Sequence, residues 1–168
     1  VRFRAGKTEK MRLEELMKTE IATNSLARVA IKNSPENRWI SLNELASAFK
    51  INVPLEISGK LESNFTLALF SQKEGIRIAL VARATSSPDL VNLLKNWERD
   101  IITIGAKQFQ PQTSFFKTAH YQGETFKYLT LGTNDFGIVY IVLDNYLILT
   151  SSYESMKVIA DQIISIKK

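Results

Sequence analysis

Cysteine is absent from the 168 residues, histidine occurs once, and there are only seven glycines and four prolines. Without cysteine the chain forms no disulfide, has no thiolate nucleophile and offers zinc no sulfur ligand; its redox compartment stays open. The single histidine, His120, rules out a site built on two imidazoles, and a Ser-His-Asp triad would rest on that one ring. Among the glycines neither G-x-G-x-x-G nor G-x-x-x-x-G-K-[ST] occurs, which removes the common phosphate-binding loops. No window approaches the ~18 uncharged apolar residues that a spanning helix needs. No cofactor, no metal and no catalytic residue are therefore expected.

What is present suits one folded domain: 45% of the residues are apolar and 23% charged. The stretch from Phe115 to Lys168 is the most legible. Phe126, Tyr128 and Thr130 alternate with Thr125, Lys127 and Leu129. The turn Gly132-Thr133-Asn134-Asp135 precedes the apolar run Gly137 to Leu143, and Asp144-Asn145 joins that run to Tyr146 to Thr150. A two-residue Asp-Asn connection tolerates positive φ, so the two runs are expected to pair antiparallel. Gly123 marks a further reversal, with Phe115 to Tyr121 as the first strand. A helix follows at Ser151 or Ser152. Ser151 with Glu154 three residues on reads as a capping box, and Met156, Ile159, Ala160, Ile163 and Ile164 form one apolar face.

The same succession occurs upstream. Phe65 to Phe70 and Ile76 to Val81 flank the turn Gln72-Lys73-Glu74-Gly75 and read as a hairpin. Ser87-Pro88-Asp89 then starts a helix to about Gly105, with Leu90, Val91, Leu94, Trp97, Ile101 and Ile104 as its buried stripe. Earlier, Leu26 to Ile31, the breaker Asn33 to Asn37, Trp39-Ile40 and a capping box from Ser41 to Glu44 lead into a short helix. The expected fold is α+β: a mostly antiparallel sheet of about six strands, built from hairpin-then-helix units, with helices 87–105 and 151–166 packed on one face. Residues 1–24 read as a basic start and an amphipathic helix from Thr8 to about Ala22, and residues 25–168 as a single α+β domain.

The hairpin Phe65 to Ala82, the segment Leu94-Lys95-Asn96-Trp97-Glu98, and the strand-to-helix passage Asn145 to Ser155 resemble uncharacterised bacterial proteins that carry an N-terminal membrane anchor and an extracytoplasmic α+β region. The resemblance runs from about Phe65 to the C-terminus. It implies a location outside the cytoplasm and supplies no catalytic residues. Val1 in place of Met, followed by basic Arg2, Arg4 and Lys7, agrees with a signal or anchor lying outside this sequence. A cytoplasmic location is the alternative.

His120 lies near the end of a strand with no second imidazole, and a half-buried strand histidine accounts for it. Asp135, Asp144 and Glu154 fall at two turns and a cap, which explains them without glycoside hydrolysis. The net charge of +5 permits attraction to anions. Arg77 and Arg83 share strand parity, and with Lys127 they are the candidate residues for polyanion or nucleic-acid binding through a basic sheet face. No helix-turn-helix or RNP-like run supports nucleic acid. The reading that best fits is a non-enzymatic interaction or structural module, the soluble part of a bacterial envelope protein, with an unidentified protein partner. Its membrane contact would run only through a segment outside the chain, and its oligomeric state is open. Polyanion binding stands second and a hydrolase of unrecognised type third.

Overall fold

A computed structural model describes residues 2–4, 18, 20–33, 36–48, 51–108 and 111–166. The elements in chain order are β1 (Arg2–Arg4), β2 (Ser25–Asn33), β3 (Arg38–Trp39), α1 (Leu42–Ala48), α2 (Leu55–Ser58), β4 (Leu61–Gln72), β5 (Gly75–Ala84), α3 (Ser87–Gln108), β6 (Lys117–Tyr121), β7 (Glu124–Thr130), β8 (Gly137–Leu143), β9 (Tyr146–Thr150) and α4 (Tyr153–Ser165). The fold is α+β. Eight strands follow one another in the order β1-β2-β4-β5-β9-β8-β7-β6, and β3 pairs on β2. Every pairing is antiparallel except β1 with β2.

Local chemistry accounts for the hairpins. Gln72 pairs with Gly75 across a two-residue turn, and Gly75 supplies a φ of 117° that a side chain would resist. Asp144 carries the positive φ of the β8–β9 connection, 54°, at one position rather than at both. At Gly137 no side chain fits: a Cβ there would stand 2.3 Å from the Leu129 carbonyl oxygen, so glycine lets β8 start flush against β7.

Cross-strand partners share a face of a sheet. Ile141 pairs with Phe126 and Ile148, Val139 with Tyr128 and Thr150, and Thr150 with Ala79, so these residues define the first face. Tyr140, Leu149 and Leu80 lie on the second. Helix α4 lays Met156, Ile159 and Ala160 on the first face among Phe126, Val139, Ile141 and Ile148. Helix α3 lays Leu90 and Leu94 on the second, among Phe116, Leu129, Tyr140 and Leu147. The Tyr140 hydroxyl donates to Glu98 of α3 at 2.6 Å, and burial, then this carboxylate, raises its pKa. A further cluster of Val29, Leu67 and Leu69 fills the second face at the other end of the sheet.

Several expectations are corrected. The sheet has eight strands in continuous order instead of about six, because β2 joins β4 in the same sheet and β1 extends it; β1 and β3 are too short for an alternating pattern to be visible. The two long helices lie on opposite faces, not on one. The cause is visible in β8, whose run Ile138 to Leu143 is apolar at every position and needs cover on both sides. The α3 stripe includes Leu93 and leaves Val91 out, 47% exposed; the Ile104 side chain lies outside the described residues. Helix α3 runs to Gln108 rather than ending near Gly105. The helix expected from Thr8 to Ala22 lies almost wholly outside the described residues; of its end, Glu20, Ile21 and Ala22 are not helical. The Ser41–Glu44 capping box is as expected: the Glu44 amide donates to Ser41 Oγ at 3.3 Å and the Ser41 amide to the Glu44 carboxylate at 2.7 Å.

Candidate functional site

The start of α4 is the most heavily built polar feature of the described residues. Ser152 is the N-cap, in extended conformation, and its Oγ accepts from the Ser155 amide at 3.1 Å. The helix thus starts at the later of the two expected positions, and the Ser151–Glu154 capping box does not form. Ser151 Oγ instead accepts from the Ile78 amide of β5 at 2.8 Å, and Glu154 pairs with Lys157 at 2.7 Å. Below the cap, Ser152 Oγ donates to Gln72 at 3.0 Å.

The next amides of α4 are satisfied from the loop before β8. Asn134 and Asp135 take left-handed φ values of 62° and 52°, which turns the Asp135 carboxylate toward the helix. Its two oxygens accept from the amides of Tyr153, at 2.8 Å, and Glu154, at 3.0 Å. A carboxylate there also meets the positive end of the helix dipole. Arg77 holds the loop in place: its guanidinium donates to the Asn134 carbonyl at 2.6 Å and the Asp135 carbonyl at 3.1 Å and stacks 5.7 Å from the Phe136 ring.

Beside this corner an open cleft of about 350 Å³ lies on the first face, between β6, β7, β8 and the start of α4; Phe126, Tyr128, Val139, Phe136, Tyr153 and Asp135 are among the residues that line it. Tyr153 stacks on Phe126 with centroids 5.2 Å apart and planes 24° from parallel, and Tyr121 meets Tyr153 edge-on at 6.3 Å. The ammonium of Lys157 lies 4.8 Å from the Tyr153 centroid, and hydrogen bonding to Glu154 raises its pKa. At the far side, the Tyr121 hydroxyl donates to the Asp161 carboxylate, 3.0 and 3.1 Å from its two oxygens, and Gln122 donates to the same group at 2.7 Å. His120 also contributes to the lining. It is exposed rather than half-buried, and its Nδ1 is 3.2 Å from Thr125 Oγ.

The residues expected to bind polyanions do not come together. Arg77 and Arg83 share the first face, but Arg77 is buried and spent on the loop carbonyls. Arg83 sits 3.6 Å from Glu62. Lys127 pairs across from Tyr140, on the opposite face of the sheet, and donates to Thr118 at 2.7 Å. Among the described residues no group of three or more His, Cys, Asp or Glu side chains converges as a metal site would require, and no described helix is long and apolar enough to cross a membrane.

A second, smaller opening of about 190 Å³ lies where β4 stops pairing with β2, bounded by Arg28, Ile31, Trp39, Phe65 and Thr66. Trp39 is 58% exposed there, with the Lys32 ammonium 5.9 Å from its ring.

In the sequence Asp135 is one of three carboxylates explained as turn or cap residues, and Tyr153 is only the residue that follows a cap. The one local signal is the pair of turn residues Asn134-Asp135, both tolerant of left-handed φ. Compared with family models, the chain matches none, and no curated protein is similar enough to count as a relative.

Proposed function

We propose that the chain is a non-enzymatic interaction module whose contact surface is the aromatic cleft beside β6. We further propose that it is the extracytoplasmic part of a bacterial envelope protein, held to the membrane by a segment that this chain does not contain. The observation that carries the first part is the state of Asp135. Among the described residues it is the only carboxylate in the cleft lining, and both its oxygens are occupied by backbone amides of α4. A hydrolase needs a base within reach of a nucleophile or water. The remaining candidate, His120, faces Thr125, and among the described residues no carboxylate is hydrogen-bonded to it. What the cleft offers instead is a concave apolar wall with Tyr and Thr hydroxyls at its margin, the composition of a binding site for an apolar side chain. The location rests on the resemblance of the region from Phe65 onward to anchored bacterial proteins.

The test is site-specific photocrosslinking in the full-length protein in its bacterial host. A photoreactive residue at Tyr128 should give an adduct of discrete mass with another polypeptide, and one at Lys95 on α3 should not. That adduct should be degraded by protease added to intact spheroplasts. Protection until lysis would end the envelope location. Hydrolysis of chromogenic ester, phosphate or glycoside substrates that disappears in His120→Ala would end the non-enzymatic reading.

A further inference from the structure

Strand β6 ends the sheet, and among the described residues no strand pairs with its outer edge. The connection to β7 is a two-residue turn, Gln122-Gly123, with φ of 50° and 87°, between the paired residues Tyr121 and Glu124. Two positive φ values make this a type I′ turn, which closes on a hydrogen-bonded pair. Antiparallel pairs alternate between bonded and non-bonded. Lys117, Ala119 and Tyr121 therefore direct their amides and carbonyls toward β7, and Thr118 and His120 direct theirs outward. No proline or bulge interrupts these five residues. Such an edge is a template for another strand.

The side chains select which strand. We propose that the outer edge of β6 pairs antiparallel with β6 of a second copy of this chain, centred on Ala119, to form a two-fold dimer with one continuous sheet. In that register Thr118 of each copy lies opposite His120 of the other, and their outward amides and carbonyls supply the hydrogen bonds. Ala119 faces its own equivalent at a non-bonded position, where Cα atoms approach to about 4.5 Å and a small residue is needed. Lys117 lies across from Tyr121, whose hydroxyl is held on Asp161. Lys117 is exposed and makes no ion pair among the described residues, so the register gives each copy's unpaired cation an aromatic ring and a carboxylate on the other. Slipping by two residues replaces that contact with Lys117 against Ala119 and shortens the overlap. Faces match across the axis, so both α4 helices lie on the same side of the joined sheet. Ala119 and His120 also line the cleft, but self-pairing uses the backbone edge of β6 and not the apolar wall: a monomer in every test below would end the dimer and leave the module reading in place.

The absence of cysteine makes the register directly testable. Non-bonded pairs have the Cα separation a disulfide accepts. Ala119→Cys should oxidise to a covalent dimer at micromolar protein, whereas Lys95→Cys on α3 should stay largely monomeric. By sedimentation velocity the parent chain should show a mass that rises with concentration toward twice the monomer. Thr118→Pro removes an outward amide without touching the β7 pairing and should abolish association while leaving the circular dichroism spectrum unchanged. Should that variant fold poorly, Lys117→Glu gives an independent reading: it should raise the dimer Kd roughly tenfold or more, and adding Asp161→Lys should recover most of the loss. A parent chain monomeric up to about millimolar concentration, equal oxidation rates for the two cysteine variants, or a dimer indifferent to both Thr118→Pro and Lys117→Glu would each overturn the proposal.

Discussion

Asp135 caps a helix that starts eighteen residues after it: its carboxylate oxygens accept from the Tyr153 amide at 2.8 Å and the Glu154 amide at 3.0 Å. The first two amides of α4 thus depend on a loop across the sheet, and the following one on Ser152. Asp135→Ala should cost about 1–2 kcal/mol, combining a lost cap with a lost charge at the helix N-terminus. Asp135→Asn, which keeps one acceptor oxygen and loses the charge, should cost less. Urea unfolding midpoints of the three proteins decide this; an alanine variant as stable as the parent would show that α4 starts without help from the loop.

Arg77 and Arg83 have the same strand parity and opposite roles. Arg77 is buried, and both of its long-range hydrogen bonds end on carbonyls of the 132–136 loop. Arg77→Ala should therefore lower stability by about 1.5–3 kcal/mol, the range for hydrogen bonds to a charged group. The Arg83 side chain is 57% exposed beside Glu62, and its replacement by alanine should change stability by less than about 0.5 kcal/mol. Paired chemical-denaturation curves read the difference. Equal small effects from both substitutions, with a matching loss of affinity for single-stranded nucleic acid at physiological salt, would instead return Arg77 to the polyanion surface.

The hairpins and the apolar stripe of α4 were legible because each is set by neighbours a few residues apart. Alternation fixes Phe126, Tyr128, Ile141 and Ile148 on one side, and helical spacing fixes Met156, Ile159 and Ala160. The arrangement of the helices was less legible, although the uninterrupted run from Ile138 to Leu143 carried the information that both faces of β8 are covered. The cleft and its corner were not legible. Arg77 meets residues 57 and 58 positions away, and it does so only because the strand order β5-β9-β8 sets the start of β5 beside the loop before β8. Strand parity alone marked Arg77 as facing water. The loop and the start of α4 cover that end of the face, a long-range fact that no local pattern encodes.

Helix α3 offers a direct check on which of its faces is buried. Leu90 is fully buried against the second face, whereas its neighbour Val91 is 47% exposed. Leu90→Ala should lose about 2–5 kcal/mol and Val91→Ala no more than about 0.5 kcal/mol. Thermal unfolding of the two variants tests the helix orientation. Comparable losses would require α3 to be rotated about its axis, and the hydrogen bond from Tyr140 to Glu98 would then have no basis.

The last prediction concerns acid. Glu44 accepts from Arg38 and from both the amide and the hydroxyl of Ser41, and these hydrogen bonds, that of Arg38 foremost, lower its carboxyl from 4.5 to about 2. A carboxyl depressed in the folded state stabilises that state above its unfolded value and loses the contribution as it is protonated. The capping of α1 by Glu44 should thus be complete above pH 4.5 and fade as pH falls through about 2. A carboxyl-carbon NMR titration should place the Glu44 midpoint near the lower value, and Arg38→Ala should move it upward while the Ser41 hydrogen bonds keep it below an ordinary glutamate. In Glu44→Gln the pH dependence of stability over that window should flatten relative to the parent. A parent midpoint in the ordinary glutamate range would show that neither Arg38 nor Ser41 holds the Glu44 carboxylate in solution, leaving only Ser41 Oγ to cap α1.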